Sequence, residues 1–374
     1  MPLPLIAVFA DLPDPRRDTK NKVHKLTDIL TIATCAVIAG AEGWEEIAEY
    51  GQLKEPFFRR FLELPAGIPS HDTFSRVFAK LDPDAFADRF GRWMAAACEA
   101  TGLVHVAVDG KSARRAPKGT FTGCLHLVEA WAVDNRLILG QRSVPDGGHE
   151  ITTIPDLLAA LDLTGAVVTI DAAGCQKGTV AQIRARGGEY VVTVKGNQAG
   201  LRDAVADVFA RAGAAEFAGC AMTGAAEDGH GRHEERYVTV VTDPTGLPDG
   251  WSDVGAVVMV GRERQVTGTA NASTAHFYLT SLRATAAELG GYIRNHWGIE
   301  NGLHWCLDVA FREDDSRARA GHAGANLGMI RRVALSLLKR ADTKNSIRTR
   351  RMKAGGDDGY MLKVLHGLST IDSA

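Results

Sequence analysis

Two aspartates and one histidine–glutamate–histidine stripe are the residues whose types and spacing can do chemistry here. Asp109 ends the apolar run Val104-His105-Val106-Ala107-Val108 and precedes Gly110 and the cations Lys111, Arg114, Arg115 and Lys118. Asp171 ends a second run, Val167-Val168-Thr169-Ile170. Carboxylates brought together repel unless a proton or cation lies between them. A hard divalent ion with oxygen ligands, Mg²⁺ or Mn²⁺, meets that need. Each aspartate alone also fits a turn, because Asp-Gly is a common exit from a strand and Asp171 stands before Ala-Ala-Gly.

The third candidate is RNHWGIENGLHW, where Arg294, His296, Glu300, Asn301 and His304 share one predicted helix. His296, Glu300 and His304 fall at i, i+4 and i+8, on one stripe, and Trp297, Asn301 and Trp305 form the adjoining one. Gly298 and Gly302 each cost about 1 kcal/mol against alanine inside a helix, which predicts close backbone approach or tight packing. A partly buried helix with hydrogen-bonded histidines fits the same residues. Zinc fits less well, because the stripe lacks the H-E-x-x-H spacing.

The elements that must position these groups follow from pattern. Residues 1 to about 100 read as helical: near Leu26 to Ala41, near Trp44 to Leu64, His71 to Leu81 capped by Ser70, and from Asp82-Pro83 to about Thr101. Short helices with short connections permit a helix-turn-helix. A strand runs from Val104 to Asp109. Residues 124–133 and 137–144 flank Asp134-Asn135-Arg136 as a hairpin. A helix from Ile151 to Leu161, the strand ending at Asp171, a helix to about Arg186 and the strand Tyr190 to Lys195 complete a β-β-β-α-β-α-β order. Alternation with helices predicts that the later strands are parallel. Ligand crevices in open α/β sheets lie beyond the carboxyl ends of strands, where both aspartates stand. Residues from about 199 to 283 read as a helix, Leu201 to Ala212, and then a largely β insertion with strands at 236–242, 254–260 and 276–282. Helix resumes near Ala286, and Arg331 to Lys339 forms a last strong helix.

A length of 374 residues, 45% hydrophobic and 24% charged, is ordinary for a globular chain with a sizeable core. The net charge of −2 hides an uneven distribution. Arg331 to Lys353 holds nine Lys or Arg against Asp342, and Arg16 to Lys25 holds five against Asp18. Such segments fit a side that faces a polyanion and equally fit a solvated helix face. The six cysteines form no C-x-x-C pair and read as reduced, mostly buried thiols of a cytosolic protein. MPLPLIAVF has no basic n-region, and Leu26 to Ala41 is too short to span a bilayer.

The stretches AVDGKSAR, HLVEAWAV, LILGQ, VTIDAAGCQK, YVVTVKGNQ, DGHGRHEER and RNHWGIENGLHWCLDVAFRED come in the order of the H-repeat-associated insertion-sequence transposases, the ISAs-type family. FADLPDPR and PSHDTFSRVF resemble the helical domain that precedes the catalytic domain there. The resemblance runs from about Phe9 to Leu368. It implies an α/β fold: a ribonuclease-H-like DDE catalytic domain over 103–374, with the β-rich insertion near 199–283 and a basic C-terminal helical segment near 325–374. An all-α N-terminal domain over 1–102 precedes it and is expected to bind DNA.

Matched residue by residue, the resemblance implies Asp109, Asp171 and Glu300 as catalytic metal ligands for two Mg²⁺ (or Mn²⁺) ions. It implies binding of the element's terminal inverted repeats and of target DNA, as a homodimer, in the nucleoid-associated cytoplasm and with no membrane. Lys111, Arg114, Arg115 and Lys195 are candidate phosphate contacts. Arg294, His296, Trp297, Asn301 and His304 are further DNA-binding candidates, and Trp297 and Trp305 could stack on an unpaired base or pack in the core. The pattern departs from the family at three points. Related transposases often surround the glutamate with a tyrosine, an arginine and a lysine at set offsets; here the places four before and seven after Glu300 are His296 and Leu307, with Arg294 out of register and His296 or His304 as substitutes. PDGGHEI replaces Lys-Ser-Asn-Glu-Ile, so Gly147 removes a lysine. A metal-dependent nuclease of the same fold, a transposase-derived DNA-binding protein without catalysis, and a paired-carboxylate glycosidase are the competing readings.

Overall fold

The computed structural model describes residues 4–20, 22–99, 102–117, 124–229, 232–251, 253–266, 272–341 and 344–367. In chain order its elements are α1 (Pro4–Phe9), α2 (Leu26–Ala39), α3 (Trp44–Leu53), α4 (Glu55–Phe58), α5 (His71–Lys80), α6 (Pro83–Glu99), β1 (His105–Pro117), β2 (Cys124–Ala132) and β3 (Leu137–Ser143). There follow α7 (Glu150–Ala159), β4 (Val167–Ile170), α8 (Lys177–Ala185), β5 (Glu189–Val194), α9 (Ala199–Ala214), β6 (Ala221–Gly229), β7 (Arg232–Thr242), β8 (Ala256–Val266) and β9 (Ala272–Thr280). The chain closes with α10 (Ala286–His296), α11 (Trp305–Phe311), α12 (Ala323–Ala341), α13 (Ile347–Gly356) and α14 (Asp358–Leu365).

Two compact units divide this mixed α/β chain. One, the sheet unit, is Leu103–Asp109 with Glu150–Gly298; the other, the helical unit, is Met1–Gly102, Gly110–His149 and Ile299–Ala374. The units cut across the sequence boundary at residue 102.

In the sheet unit the strand order is β1-β4-β5-β9-β8-β7-β6. β1, β4 and β5 are parallel, as the alternation with helices predicts. All four residues of β4 are buried, the mark of a strand covered on both faces. The β-rich segment is continuous with this sheet, because β9 pairs antiparallel with β5 and leads into β8, β7 and β6. The sequence pattern did not anticipate β6. Its residues, AMTGAAEDG, carry almost no β-branched alternation, and the strand exists by pairing along its whole length with β7. α10 opens with a Thr285–Glu288 capping box. It lays Ala286, Leu289 and Ile293 against Val167, Val191, Val240, Ala256 and Val258.

The helical unit is built around α12, which is buried through almost all of its length. It packs against α2, α5, α6, α11, α13, α14, β2 and β3. α6 lies so close on β3 that a Cβ at Gly91 would stand 2.3 Å from the Leu139 carbonyl oxygen. The single helix expected over 44–64 is two short ones, since Pro56 donates no hydrogen bond and starts α4 afresh. Ser70 caps α5 as expected, accepting from the Thr73 amide.

The strand that carries Asp109 does not end there. β1 continues to Pro117, so the Asp109-Gly110 pair is not a strand exit. The physical reason is hydrogen bonding: after the β4 register ends, β1 goes on as the neighbour of β2 in the helical unit. The hairpin of β2 and β3 forms as predicted. Among the described residues no single helix is long and apolar enough to cross a membrane. All six cysteines are free, four of them buried.

Candidate active site

In the sheet unit each aspartate follows the last paired residue of one of two adjacent strands: β1 and β4 run parallel with Ala107 opposite Thr169 and Val108 opposite Ile170, and Asp109 and Asp171 come next in the chain. Neighbouring strands lie roughly 4.7–4.9 Å apart, and alternate residues share a face. His105, Ala107 and Asp109 therefore share a face of β1 that corresponds to Val167, Thr169 and Asp171 on β4. Both aspartates are half-buried. Asp171 Oδ1 accepts from the Ala173 amide at 2.9 Å and from the Gly174 amide at 3.4 Å, which turns the chain back beneath the strand end. Only glycine fits at 174, since a Cβ there would stand 2.2 Å from Ile170 Cγ2. The loop after β5 is stitched to this turn: Asn197 Nδ2 donates to the Ala172 carbonyl at 2.6 Å and Gln198 Nε2 to the Cys175 carbonyl at 3.0 Å. Burial and the Asp171 charge push the Cys175 thiol up to about 12, so it stays protonated.

One pleat repeat back from the aspartates lies a hydrogen-bonded relay. Thr169 Oγ1 meets His105 Nε2 at 2.8 Å and His296 Nδ1 at 2.9 Å. His105 is fully buried, with its ring edge-on to Tyr292. Burial and the charge of His296 push its imidazole down to about 4, so it is neutral at ordinary pH. Lys195, one residue past β5, is exposed, as are Arg294 and Trp297 at the end of α10.

Glu300 belongs to the helical unit. The expected helix through RNHWGIENGLHW is irregular: α10 stops at His296, helix resumes at Gly298 after a turn at Trp297, and Glu300–His304 is a π-helical turn leading into α11. Such bulges widen the helix by one residue per turn and concentrate at functional sites. The single i, i+4, i+8 stripe is thereby broken, and each histidine finds its partner in its own unit. His304 Nε2 lies 2.9 Å from Glu129 Oε2 on β2. Glu129 is 0% exposed and also binds Arg332 Nε of α12, itself 0% exposed. Arg332 continues to Glu313, with Nη1 2.6 Å from Oε1. Burial alone would raise the Glu129 carboxyl; Arg332 and His304 override it and pull it down to about 2. Burial likewise opposes the Arg332 charge, but the two glutamates hold it above its ordinary value.

Lys339 Nζ caps the Gly302 carbonyl and lies over the Trp131 ring. A Cβ at Gly302 would meet only Lys339 Nζ, at an ordinary 3.6 Å. The close backbone approach or tight packing predicted at that glycine is not found, since the lysine bonds a backbone carbonyl that any residue would carry. Glu300, Asn301 and Trp305 are exposed, the tryptophan by 60%.

Several cations expected to face DNA are used inside. Lys111 is 8% exposed and holds both Asp308 carboxylate oxygens, at 2.7 and 2.8 Å. It is corrected from a phosphate contact to an internal ion pair. Of the nine basic residues between 331 and 353, Arg331, Arg332, Arg350 and Arg351 are buried. Arg331 donates to the Glu42 carbonyl, Arg350 to the Leu338 and Asn345 carbonyls, and Arg351 to the Val37 and Ala310 carbonyls. Arg331 and Arg332 sit on α12, which is buried almost throughout, and Arg350 and Arg351 lie on the buried side of α13, so backbone carbonyls and carboxylates take the place of water. The side chains of Arg114 and Arg115, and all of Lys118, lie outside the described residues.

Among the described residues no three His, Cys, Asp or Glu are clustered as a metal-holding group. The Asp109–Asp171 pair supplies hard oxygen donors within one unit, which suits one side of a divalent ion.

Residues 6–94 match the DDE_Tnp_1-associated family and residues 100–337 match the transposase DDE domain family. The chain belongs to the DDE transposases of insertion sequences. It is 35% identical to the H repeat-associated putative transposase YhhI of Escherichia coli (strain K12) over 366 residues, covering 95% of this chain and 96% of that protein. It is 44% identical over 264 residues to an uncharacterized protein in the dhlA 3′ region of Xanthobacter autotrophicus, covering 70% and 88%. A chain of the piggyBac transposase synaptic complex with hairpin DNA overlays with a TM-score of 0.39 at 9% identity, covering 99% of this chain and 77% of that one.

DDE transposase domains work with divalent metal ions, in keeping with the paired aspartates. Within this transposase the neighbours of the candidate site that pattern reading did not single out are Thr169, Asn197, Gln198, Glu129 and Glu313, while Arg332 was read only as part of a basic cluster. Glu129 had a usable signal, a lone acid inside the apolar run HLVEAWAV. The others had none, because their partners stand more than ten residues away in sequence.

Proposed function

We propose that this transposase binds the ends of its insertion sequence, cuts them and joins them to target DNA. The observation that carries this reading is the parallel register of β1 and β4, which runs up to Val108 opposite Ile170, the residues just before Asp109 and Asp171. In this reading the surrounding fold is ribonuclease-H-like, and Asp109, Asp171 and Glu300 hold two Mg²⁺ or Mn²⁺ ions. Bound divalent ions would supply a water of lowered pKa and neutralise the leaving oxygen of an in-line displacement. The chain's own part is to fix the carboxylates. The Asp171 turn and the Asn197 and Gln198 bonds hold one strand end rigid. No side chain serves as a covalent nucleophile. Lys195 and Arg294, both exposed, contact phosphates as positioning charges. The helices over 1–102 bind DNA, a homodimer holds two ends, and the protein works in the cytoplasm at the nucleoid.

The test is incubation with duplex DNA carrying the gene's own flanking sequences, with and without Mg²⁺ or Mn²⁺, beside Asp109→Asn and Glu300→Gln. Metal-dependent nicking at the flanks with joined products, lost in both variants, is the expected result. Nicking without joined products makes the protein a nuclease. Binding without cleavage under either metal makes it a silent DNA-binding protein.

A further inference from the structure

The π-helical turn that carries Glu300 is held at two points inside the helical unit, and neither is explained by DNA contact. Its last residue, His304, is bonded to Glu129; the carbonyl of its third residue, Gly302, is capped by Lys339. Behind Glu129 stand Arg332 and Glu313, all three carried on different elements and all buried. Glu129, held down to about 2, is a carboxylate and can only accept hydrogen bonds, so His304 Nε2 must carry the proton it shares. That fixes the ring's tautomer and orientation.

A buried ion triad of this kind is often no better for stability than apolar residues of the same volume. Its value lies in direction. Arg332 draws on two acceptors at once, Glu129 through Nε and Glu313 through Nη1, and so fixes where Glu129 points. Glu129 in turn fixes His304, four residues after Glu300.

We propose that Glu129 and His304, braced by Arg332 and Glu313, are positioning residues that lock the π-turn and so set the placement of the Glu300 carboxylate. This rests on the reading of Glu300 as a metal ligand. His304 acts through Glu129 and not through a DNA phosphate. A lock of this kind matters because a misplacement of about 1 Å at a reacting group can cost roughly a hundredfold in rate.

The experiment uses the full-length protein and compares His304→Ala, His304→Gln, Lys339→Met and Glu300→Gln. Three quantities are read: Mn²⁺-dependent nicking of duplex DNA carrying the gene's flanks, binding of the same duplex without metal, and amide hydrogen exchange over 299–305. The glutamine side chain keeps a donor for Glu129; alanine does not. For His304→Ala the expected result is nicking down about a hundredfold, duplex binding unchanged within about threefold, and exchange over 299–305 about tenfold faster with the rest of the helical unit unchanged. His304→Gln recovers nicking and protection to within about tenfold of wild type, and Lys339→Met behaves as a weaker His304→Ala.

Wild-type nicking by His304→Ala overturns the inference. So does faster exchange spread evenly over the helical unit, which marks a general scaffold, and so does loss of duplex binding in both His304 variants, which marks a phosphate contact. Glu300→Gln separates the two levels. If that variant still nicks, the reading of Glu300 itself has failed; if it is dead while His304→Ala is normal, only the lock has.

Discussion

The two histidines that stand four residues to either side of Glu300 are held by opposite means. In the sheet unit His296 ends a short relay through uncharged partners, with Thr169 bridging it to a His105 that is kept uncharged. In the helical unit His304 ends a network of full charges, Glu129, Arg332 and Glu313. A neutral relay is cheap to bury and each of its bonds contributes only about 0.5–1.5 kcal/mol. A buried ion network is costly to form and severe to break. One strip of sequence is therefore tied down softly on its N-terminal side and rigidly on its C-terminal side.

The largest test of that contrast is Arg332→Leu. It leaves Glu129 and Glu313 buried without their cation, and urea unfolding of the helical unit should lose about 3–5 kcal/mol. A loss under about 1 kcal/mol would mean that the network contributes no more than the relay does. Next in size is Thr169→Val, which removes both relay bonds; exchange of β1 and β4 amides should report a loss of about 1–3 kcal/mol in the sheet unit alone.

Acid separates the units by order. The folded value of His105, about 4, lies below its ordinary 6.5, so its contribution is full above pH 6.5 and is lost as pH falls towards 4. The folded value of Glu129, about 2, lies below its ordinary 4.5, so its contribution survives to pH 4.5 and is lost on the way to 2. At pH 5 the protection factors of β1 and β4 should already have dropped while those of α12 hold. Equal loosening of both at pH 5 would sink the comparison. The smallest effects belong to the surface. Lys195→Ala and Arg294→Ala should leave stability within about 0.5 kcal/mol, and each should flatten the salt dependence of duplex binding by a slope of about 1.

The aspartate pair was legible because parallel strands announce themselves. Val104 to Val108 and Val167 to Ile170 are short, mainly apolar runs with one polar residue each, His105 and Thr169, and each stops at an acid. What pattern could not supply was the course of β1 past Asp109, since Asp-Gly is a turn everywhere except where a new neighbour, here β2, goes on pairing with the strand. The basic cluster misled for a related reason. Arg331, Arg332, Arg350 and Arg351 look like a charged face in sequence, yet their acceptors, Glu42, Glu313, Leu338 and Val37, are contributed by other elements. Local composition reports charge; only tertiary structure reports what the charge is used for. The π-turn is invisible for the same reason: Glu300 to His304 continues a helical pattern, and only Glu129 and Lys339, far along the chain, mark where the turn widens.

The core helix of the helical unit, α12, comes late in the chain, and much of what it completes comes early. Asn326 supplies hydrogen bonds to the carbonyls of Phe78 and Leu81, and Arg332 is the counter-ion for Glu129. A ribosome that has synthesised residues 1–322 has made most of the helical unit and none of the part that closes it. Until the last stretch emerges, Glu129 has no arginine and helices α2, α5 and α6 have no centre to pack on. A stop codon or frameshift in that final stretch would therefore disable the opposite end of the protein, leaving an almost complete transcript that encodes no working fold.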